Sequence, residues 1–421
     1  MKYFFYGAIL ARPIMKQRDL SDRLFWTADE GEIKSAKTTD AYFLNTKEVL
    51  TRNHVDSDVV MEVFARDLPY PGVWGVLTGV YEVAKLLEGV PVDVWAFDEG
   101  SVFLADARTA FYEPVMTITG RYRDFVEYEN PLLGLISSST SVSTRAARFR
   151  AAAGDRTLIS FGTRRVHPAL APLIERSCYV AGFDAVSNVL GAKLLGVEPS
   201  GTMPHALVQV LGDQAEAWLL FDRTIPKEVP RIALIDTFWD EKSEAIRAFE
   251  TLGRSLWGVR IDTPSSRRGN LRQIIEEVRW ELNIRGGKAV KIIVSGRLTE
   301  EDVAQLRDLV DGFGVGTAVA YPPVIDFSAK IVEVRGEGGT RHFRAKRGGL
   351  GGRKAVFRAK GFRDTVAIDG TIPPRGSEPL LKRMISKGEI VSEFKTVAEI
   401  RAKTLKDIRA VGRSEPGLAW M

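Results

Sequence analysis

Polar residues or glycines stand at the ends of the strand-like runs between residues 155 and 325, and several could do chemistry. The runs are rich in β-branched and apolar residues, which is typical of strands buried on both faces of a parallel sheet. In a parallel α/β barrel the carboxyl ends of all strands meet on one face, so these residues should converge there. The set comprises Arg164, Asp184, His205, Asp236, Asp262, Ser295 with Gly296, and residues 314–317.

The arginines and glycines of this region are suited to an anionic ligand. Arg164 and Arg165 carry planar guanidinium groups, which can bind a carboxylate or a phosphate through two parallel hydrogen bonds. Glycines at adjacent strand ends let backbone N–H groups approach a phosphate closely, although turn geometry alone is the alternative explanation for them. The candidate phosphate cradle consists of Gly296, Gly314, Gly316 and Thr317.

The acids and the histidine could stabilise charges on a ligand or transfer protons. Asp236 and Asp262 follow apolar strands, where an unpaired carboxylate is costly, and ligand hydroxyls, Mg²⁺ or Arg260 can pair them. Arg260 and Asp262 are two residues apart and so face the same side of their strand. His205 is the side chain of the set best suited to nucleophilic or acid–base chemistry at neutral pH. Solvated carboxylates and a structural histidine remain the alternatives.

An alternation of strands and helices must position these residues. Helical spacing of apolar residues predicts helices over 167–180, 241–252, 270–284 and 299–310. Such units with right-handed crossovers suit a closed barrel or an open doubly wound sheet. The predicted strands are TLISFGT (157–163), YVAGFDA (179–185), ALVQVLG (206–212), RIALIDT (231–237), WGVRIDT (257–263), VKIIVSG (290–296) and VGTAVAY (315–321).

The flanks of this region differ from it and predict a second domain. Residues 1–125 mix strand-like runs with a helix predicted over 75–87, and residues 326–421 return to strands, a basic hairpin and a helical extension. The economical arrangement is an N-terminal α+β sandwich domain over 1–125 that is completed by 326–421. Residues 126–325 would then form the α/β barrel that carries the catalytic groups.

Composition narrows the class of protein. The chain has 421 residues, a formal net charge of +5 and one cysteine, Cys178, so neither a disulfide within the chain nor a cysteine-based zinc site is expected. The run 335–363 holds ten Lys or Arg residues and one acid, Glu337. This basic segment could be a solvent-exposed hairpin, a binding surface for an anionic ligand or a neighbouring subunit, or a nucleic-acid-binding surface. No run of about 18 apolar residues or signal peptide is present, which predicts no membrane contact and a cytoplasmic protein.

Ten motifs, in order between about residues 30 and 355, resemble nicotinate phosphoribosyltransferase, particularly its archaeal-type branch. Each motif alone is weak, but ten in the right order are specific. They are TTDAYFLNT (38–46), EPVMTITG (113–120), NPLLGLI (130–136), FGTRRVHPAL (161–170), GFDAVSN (182–188), GTMPHALV (201–208), LIDTF (234–238), GVRIDTP (258–264), VSGRL (294–298) and FGVGT (313–317).

The resemblance implies an irregular, incomplete α/β barrel plus a sandwich-like domain, in a homodimer or higher homo-oligomer whose active sites are shared between subunits. The implied reaction joins nicotinate to 5-phosphoribosyl-1-pyrophosphate and gives nicotinate mononucleotide and pyrophosphate, in NAD biosynthesis or salvage. Mg²⁺ would arrive with the pyrophosphate, and ATP would be a co-substrate whose hydrolysis passes through a phosphorylated His205. Some archaeal-type relatives carry a zinc-bound, cysteine-rich piece, whereas this sequence has no cysteine there, so no zinc is expected.

The resemblance also implies roles for individual residues. Phe161 and Tyr42, the latter from the neighbouring subunit, would stack on the two faces of the pyridine ring, and Asp184 would lie near the base or orient Arg164. The implied catalytic set is His205, Asp262, Asp236 and Arg260. The implied substrate-binding set is Tyr42, Phe161, Arg164, Arg165, Asp184, Thr202, Ser295, Gly296, Gly314, Gly316 and Thr317, and no protein metal ligand is assigned.

Two other substrates and one function of another class stay open on the sequence. A quinolinate phosphoribosyltransferase would share the architecture but would need a denser basic pocket for a second carboxylate, and nicotinamide is another possible substrate. A protein of another class would use the basic segment 335–363 to bind RNA on an inactive barrel. The polar groups retained at the predicted strand ends favour the enzyme.

Overall fold

The computed structural model describes residues 24–264, 266, 269–336 and 340–421. Short 3₁₀ turns lie at Val126–Tyr128, Thr163–Arg165, Pro168–Leu170 and Gly253–Ser255. The α-helices of the described residues are α1 (Glu30–Lys34), α2 (Ala41–Arg52), α3 (Val80–Leu87), α4 (Tyr122–Phe125), α5 (Glu129–Ala153), α6 (Ala171–Val180), α7 (Val189–Leu195), α8 (His205–Leu211), α9 (Gln214–Thr224), α10 (Glu241–Leu252), α11 (Leu271–Ile284), α12 (Glu300–Leu306), α13 (Thr317–Ala320) and α14 (Val397–Val411).

The strands form two large sheets and two small ones. In chain order they are β1 (Asp58–Ala65), β2 (Trp74–Val76), β3 (Asp93–Ala96), β4 (Val102–Leu104), β5 (Met116–Arg121), β6 (Thr157–Ser160), β7 (Ala185–Val186), β8 (Ile232–Leu234), β9 (Gly258–Ile261), β10 (Lys291–Ser295), β11 (Gly312–Val315), β12 (Phe327–Arg335), β13 (Arg341–Phe343), β14 (Lys354–Ala359), β15 (Arg363–Ile368), β16 (Glu378–Pro379), β17 (Lys382–Ser386), β18 (Glu389–Ile390) and β19 (Gly417–Trp420).

The central sheet is parallel throughout and has the strand order β7-β6-β11-β10-β9-β8. Its two edge strands, β7 and β8, are not paired with each other among the described residues, so the barrel is open on one side. Buried apolar side chains of the strands pack against α10, α11 and α12, as expected for a parallel sheet covered by helices. The predicted irregular, incomplete α/β barrel is confirmed.

The barrel helices begin where the sequence supplies caps. Asp240 and Asn270 accept hydrogen bonds from backbone N–H groups in the first turns of α10 and α11. Thr299 and Asp302 form a reciprocal capping box at the start of α12, as their spacing predicts.

The second large sheet draws strands from both flanks, in the order β13-β12-β1-β5-β3-β17-β18. Strand β1 of the N-terminal flank pairs with β12 of the C-terminal flank, and β3 pairs with β17, each antiparallel. The two flanks therefore complete one α+β unit, as the sequence predicts. Helix α5 connects this unit to the barrel, since it directly precedes β6 in the chain. Its buried Thr140 and Thr144 accept hydrogen bonds from the backbone N–H groups of Thr78 and Val76 in the N-terminal flank.

Five of the ten basic residues of the segment 335–363 form ion pairs with acids of the chain itself. Lys354 is fully buried and donates hydrogen bonds to Glu62 and to two backbone carbonyls, which pins the hairpin to the sheet. The ion pairs of this segment are Arg335 and Arg341 with Glu333, Arg353 with Asp369, Lys354 with Glu62, and Arg358 with Asp364.

Three predicted strands and one predicted helix differ from the structure. The run ALVQVLG is helix α8, in which Val208 is buried while Val210 is 84% exposed, a helical rather than an alternating pattern. The run VGTAVAY contains only the end of β11 followed by α13, and YVAGFDA contains the end of α6 and the start of β7. The helix predicted over 75–87 begins only at Val80, after strand β2. Among the described residues, no helix is both long and apolar enough to cross a membrane.

Candidate active site

A cavity of about 470 Å³ opens where β6, β9, β10 and β11 end. Its lining is rich in arginine and glycine, and it brings together eleven of the fifteen residues that the sequence predicts for the site. Those eleven are Phe161, Arg164, Arg165, Thr202, Arg260, Asp262, Ser295, Gly296, Gly314, Gly316 and Thr317.

Phe161 follows β6 and forms an aromatic wall of the cavity. Its ring lies against Gly314 of β11, so closely that a Cβ atom on this glycine would stand 2.3 Å from the ring. The guanidinium carbon of Arg260 lies 5.8 Å from the ring centroid on the cavity side. A flat apolar surface is thus held beside a cation, an arrangement that suits an anionic aromatic ligand.

Four arginines and one carboxylate line the cavity. Arg164 and Arg165 lie on the 3₁₀ turn after β6, and Arg297 follows β10 with a positive φ of 53°. These three side chains are exposed and have no ion pair within the part of the chain that the structure describes. The cavity is therefore cationic, which favours ligands with carboxylate or phosphate groups.

Arg260 is held from the opposite side of the cavity. Its side chain is 12% exposed and donates a hydrogen bond of 3.0 Å to the Thr202 hydroxyl. Its Nη2 lies 3.9 Å from Oδ2 of Asp262, which follows β9 two residues further along the chain. Burial lowers the pKa of Arg260, although Asp262 and Asp236 oppose this effect.

Asp262 stands directly after β9 in an ionised state. The Ser295 hydroxyl donates to its Oδ1 at 2.7 Å, and Nε2 of His205 lies 3.8 Å from its Oδ2. Burial acts to raise the pKa of Asp262, but His205, Ser295 and Arg260 together outweigh burial and leave the pKa below its ordinary value. The carboxylate can therefore accept from a ligand hydroxyl or face a developing positive charge.

Asp236 follows β8 and is nearly inaccessible, with 2% of its side chain exposed. Its Oδ2 accepts the backbone N–H of Asp262 at 2.9 Å, whereas its Oδ1 has no hydrogen-bond partner among the described residues. Nε2 of His205 lies 3.7 Å from that oxygen. Burial raises the pKa of Asp236 above its ordinary value, despite the nearby His205.

His205 begins helix α8 rather than ending a strand, so the predicted strand-end placement is wrong. The ring nevertheless reaches the same acids, because Pro204 precedes it at the cavity rim and turns the chain into the helix. Nδ1 lies 3.0 Å from the Thr237 hydroxyl, and the Asp262 and Asp236 carboxylates raise the pKa of His205 above its ordinary value. His205 and Asp236 thus form a polar group beside the cavity with Asp262.

Asp184 lies at the other end of the sheet. It precedes β7 instead of following a strand, and it accepts hydrogen bonds from the backbone of Leu158 and from the side chains of Arg150 and Arg401. The sequence pattern failed here because the run YVAGFDA is mostly the end of α6. Asp184 therefore neither lines the cavity nor contacts Arg164.

Tyr42 lies on α2, and 59% of it is exposed. It lines a different cavity with Tyr122, Lys330 and Arg344, not the arginine-lined cavity of the same chain. Its predicted role in a neighbouring subunit stays a prediction.

The sequence analysis missed several residues of the site. Arg297 could have been found by extending the strand-end rule one residue past Gly296. Thr163 and Ser187 also line the cavity, and Thr237 contacts His205. Among the described residues, no three His, Cys, Asp or Glu side chains are grouped so as to hold a metal ion.

Comparisons with known proteins agree with this architecture. Residues 40–140 match the family model "Quinolinate phosphoribosyl transferase, N-terminal domain", and residues 142–330 match the corresponding C-terminal domain. The chain is 28% identical to nicotinate phosphoribosyltransferase pncB1 of Mycobacterium tuberculosis over 90% of this chain and 91% of that protein. It is 27% identical to nicotinate phosphoribosyltransferase of Bacillus subtilis, over 71% and 67%.

Solved structures extend the comparison. Nicotinate-nucleotide pyrophosphorylase from Pyrococcus furiosus has 48% identity and a TM-score of 0.89, over 93% of this chain and 100% of that one. Human nicotinic acid phosphoribosyltransferase shares the fold, with 21% identity and a TM-score of 0.70, over 91% and 97%. The chain is a phosphoribosyltransferase that belongs to the nicotinate/quinolinate phosphoribosyltransferase superfamily.

Proposed function

We propose that the chain is a nicotinate phosphoribosyltransferase, which converts nicotinate and 5-phosphoribosyl-1-pyrophosphate into nicotinate mononucleotide and pyrophosphate. The observation that carries the proposal is the cavity itself, in which an aromatic ring, four arginines and a single carboxylate surround about 470 Å³. Both substrates are anionic, and one is aromatic. The printed names of the relatives from M. tuberculosis and B. subtilis support the same substrate.

The cavity residues would divide the substrates between them. Phe161 would stack on the pyridine ring while Arg164 and Arg165 bind its carboxylate. Backbone N–H groups around Gly296 and Gly314, with Arg297, would bind the phosphate of the ribose. These contacts would align the pyridine nitrogen with C1 of the ribose, which supplies much of the rate enhancement in a reaction of two bound substrates.

Loss of pyrophosphate leaves positive charge on the ribose, and Asp262 would stabilise it. Its pKa below the ordinary value keeps the carboxylate ionised, so no reorganisation is needed when the charge develops. Arg260 would bind the departing pyrophosphate from the same side of β9. No protein nucleophile is required in this scheme.

Mg²⁺ is expected to accompany the pyrophosphate group. The donor set fits such an ion, because Asp236 has a buried carboxylate oxygen with no hydrogen-bond partner among the described residues and Asp262 is 26% exposed beside it. Mg²⁺ commonly binds through one or two carboxylates together with phosphate oxygens. When bound, it would neutralise charge on the leaving group.

We also propose that ATP hydrolysis is coupled to the reaction through His205. This imidazole is 36% exposed, and its Nδ1 lies 3.0 Å from the Thr237 hydroxyl while its Nε2 faces the Asp236 and Asp262 carboxylates. It would receive a phosphoryl group from ATP, with ADP leaving, and pass the group to water. Asp236 and Asp262 would orient the ring and stabilise its positive charge.

The proposal also covers the oligomeric state, the metabolic role and the location of the protein. Tyr42 from a second copy would close the base site, which requires a homodimer or a larger homo-oligomer. The reaction belongs to NAD salvage, and a cytoplasmic location is proposed with it.

Quinolinate is a second candidate substrate. A quinolinate enzyme must bind two carboxylates on the base, and the cavity has Arg260 and Arg297 in addition to the two predicted arginines. This denser set of cationic side chains is the observation that favours quinolinate as the second candidate substrate.

Product analysis distinguishes the candidates. The purified chain is incubated with 5-phosphoribosyl-1-pyrophosphate, Mg²⁺ and either nicotinate, nicotinamide or quinolinate, with and without ATP. We expect nicotinate mononucleotide from nicotinate, and faster formation with ATP. Nicotinate mononucleotide and CO₂ from quinolinate alone would overturn the proposal in favour of the second candidate.

A further inference from the structure

The loop 236–239 after β8 carries two residues that face His205, yet it lies at an open edge of the sheet. Strand β8 pairs with β9 on one side and has no described strand on the other. Phe238 and Trp239 are 49% and 65% exposed, so their packing does not fix the loop. Something else must hold it.

A buried carboxylate on helix α10 supplies the missing contacts. Glu244 is 1% exposed, and its Oε1 accepts the backbone N–H of Phe238 at 2.9 Å and of Trp239 at 2.7 Å. Its Oε2 accepts the backbone N–H of Thr237 at 3.2 Å. The side-chain amide of Gln214 also donates to this carboxylate. Four donors therefore converge on one buried anion, as its burial requires.

The held loop reaches the site in two ways. The Thr237 hydroxyl lies 3.0 Å from Nδ1 of His205, and Asp236 accepts the backbone N–H of Asp262 at 2.9 Å. The position of the loop therefore determines where two neighbours of His205 lie, namely the Thr237 hydroxyl and the Asp236 carboxylate. Glu244 itself has no described contact with His205.

We propose that Glu244 is a positioning residue, which fixes the loop 236–239 and through it the orientation and electrostatic surroundings of His205. The proposal deepens the proposed function and rests on it only for the step in which His205 acts. Its structural part concerns the free protein and can be tested without substrate.

The same arrangement, a buried glutamate that accepts hydrogen bonds from a loop backbone, occurs at the other edge strand of the central sheet. Glu175 of α6 is fully buried, and its Oε1 accepts the backbone N–H groups of Ser187 and Asn188, which follow β7. Both edge strands of the open barrel are thus followed by loops that a buried glutamate holds. A closed barrel would supply a neighbouring strand at these positions.

The test is Glu244→Gln, which keeps the size of the side chain but replaces an acceptor oxygen with an NH₂ group facing backbone donors. The first measurement is amide hydrogen exchange of Thr237, Phe238 and Trp239 in the free protein, followed by NMR. We expect these amides to exchange about tenfold faster or more in Glu244→Gln, because they lose their carboxylate acceptor. The His205 ring signals, assigned from His205→Gln and recorded at one fixed pH, should shift as well, because the Thr237 hydroxyl contacts Nδ1.

The second measurement separates positioning from folding. In Glu244→Gln we expect kcat for ATP hydrolysis, the step assigned to His205, to fall about tenfold or more while KM for 5-phosphoribosyl-1-pyrophosphate in the transfer without ATP stays within about twofold. Glu99→Gln is the matched control, because Glu99 is also a buried glutamate that accepts two backbone N–H groups, those of Gly79 and Tyr81, in the other unit. Glu99→Gln should leave the exchange of the amides of residues 237–239 and the His205 ring signals unchanged.

Unchanged loop exchange and unchanged His205 ring signals in folded Glu244→Gln would overturn the positioning role even if the enzyme is active. Faster exchange and shifted ring signals with no transferase activity in the wild-type chain would uphold positioning and reject the proposed function. Should Glu244→Gln fail to fold, Gln214→Leu removes one donor to the same carboxylate. It should change the exchange rates and the ring signals in the same direction by less, and unchanged values there would overturn the proposal.

Discussion

The four arginines of the cavity differ in exposure and in their protein partners, and this difference indicates which of them are available to bind a ligand. The Arg260 side chain is 12% exposed and has protein partners, so its removal would disturb the site as well as ligand binding. Arg164, Arg165 and Arg297 are exposed and have no ion pair in the described part of the chain. Their guanidinium groups contribute little to folding and are available for a ligand.

Arg164→Ala should therefore impair nicotinate use far more than it destabilises the fold. Loss of a charge-assisted contact of this kind costs about 2–5 kcal/mol of transition-state binding. The measurement is kcat/KM for nicotinate together with the thermal midpoint of unfolding. Arg413→Ala, at an exposed arginine after α14, is the control and should change neither value. Unchanged kinetics in well-folded Arg164→Ala would remove Arg164 from the site.

His205 should carry the ATP coupling while remaining dispensable for uncoupled transfer. Transfer of the ribosyl group needs no protein nucleophile, whereas capture of a phosphoryl group from ATP does. We expect His205→Ala to keep measurable synthesis of nicotinate mononucleotide at high substrate concentration but to lose ATP hydrolysis and the stimulation by ATP. A wild-type chain with neither ATP hydrolysis nor an acid-labile phosphohistidine would contradict the coupling.

Among the structural elements, the contact between β6 and β11 sets the aromatic wall of the cavity. Parallel pairing places Gly314 opposite Ile159, and the missing side chain leaves the space that the Phe161 ring fills. The sequence motif FGVGT thus has a packing reason at Gly314 before any phosphate is considered. At Gly316 an added Cβ would be 3.4 Å from the nearest atom, an ordinary contact.

Gly314→Ala should displace the Phe161 ring. A Cβ atom 2.3 Å from the ring cannot be accommodated without movement, and overpacking of this kind costs about 1–3 kcal/mol. We expect a lower free energy of unfolding in urea and a higher KM for nicotinate. Gly134→Ala is the control, since its Cβ would meet nothing within 4 Å on α5. An equal stability of Gly314→Ala and the wild type would show that the ring is free to move.

The sequence predicted the barrel elements best where local signals agreed. Asn270 and Thr299 cap helices where the apolar period begins, and β8, β9 and β10 lie within the predicted runs. The run ALVQVLG was wrongly predicted as a strand because a mostly apolar run of seven residues fits a short helix and a strand equally well. Glu244 was missed because an acid in a helical stretch is usually solvated, and only tertiary packing shows that it is buried.

At the scale of the whole molecule, helix α14 ties the C-terminal flank to the barrel. Its Arg401 donates to the backbone carbonyl of Phe183 at 2.6 Å and to the Asp184 carboxylate at 3.1 Å. The buried Arg150 of α5 pairs with the other oxygen of Asp184. Asp184 thus joins three elements at the amino end of the sheet, and its predicted role near the base stays a prediction.

Asp184→Asn should destabilise the fold without changing the site. The substitution leaves the buried Arg150 without its carboxylate, and because Asp184 is 42% exposed we expect a loss of about 1–3 kcal/mol. The measurement is urea unfolding together with KM for nicotinate, which should stay within about twofold. Asp155→Asn, at an aspartate that is 93% exposed, serves as the control. A large rise in KM with full stability would instead support the base-site role implied by the resemblance.

Assembly is the last level at which the site can be completed. Tyr42 is exposed and lines a cavity with Lys330 and Arg344, away from the arginine-lined cavity of its own chain. If Tyr42 stacks on the base, the base must therefore be bound in another copy. Tyr42→Ala and Asp262→Ala chains, each expected to be inactive alone, should regain some activity when mixed, because a heterodimer then holds one site with both wild-type residues. Heterodimers that form without any recovery would mean that each site is built from one chain.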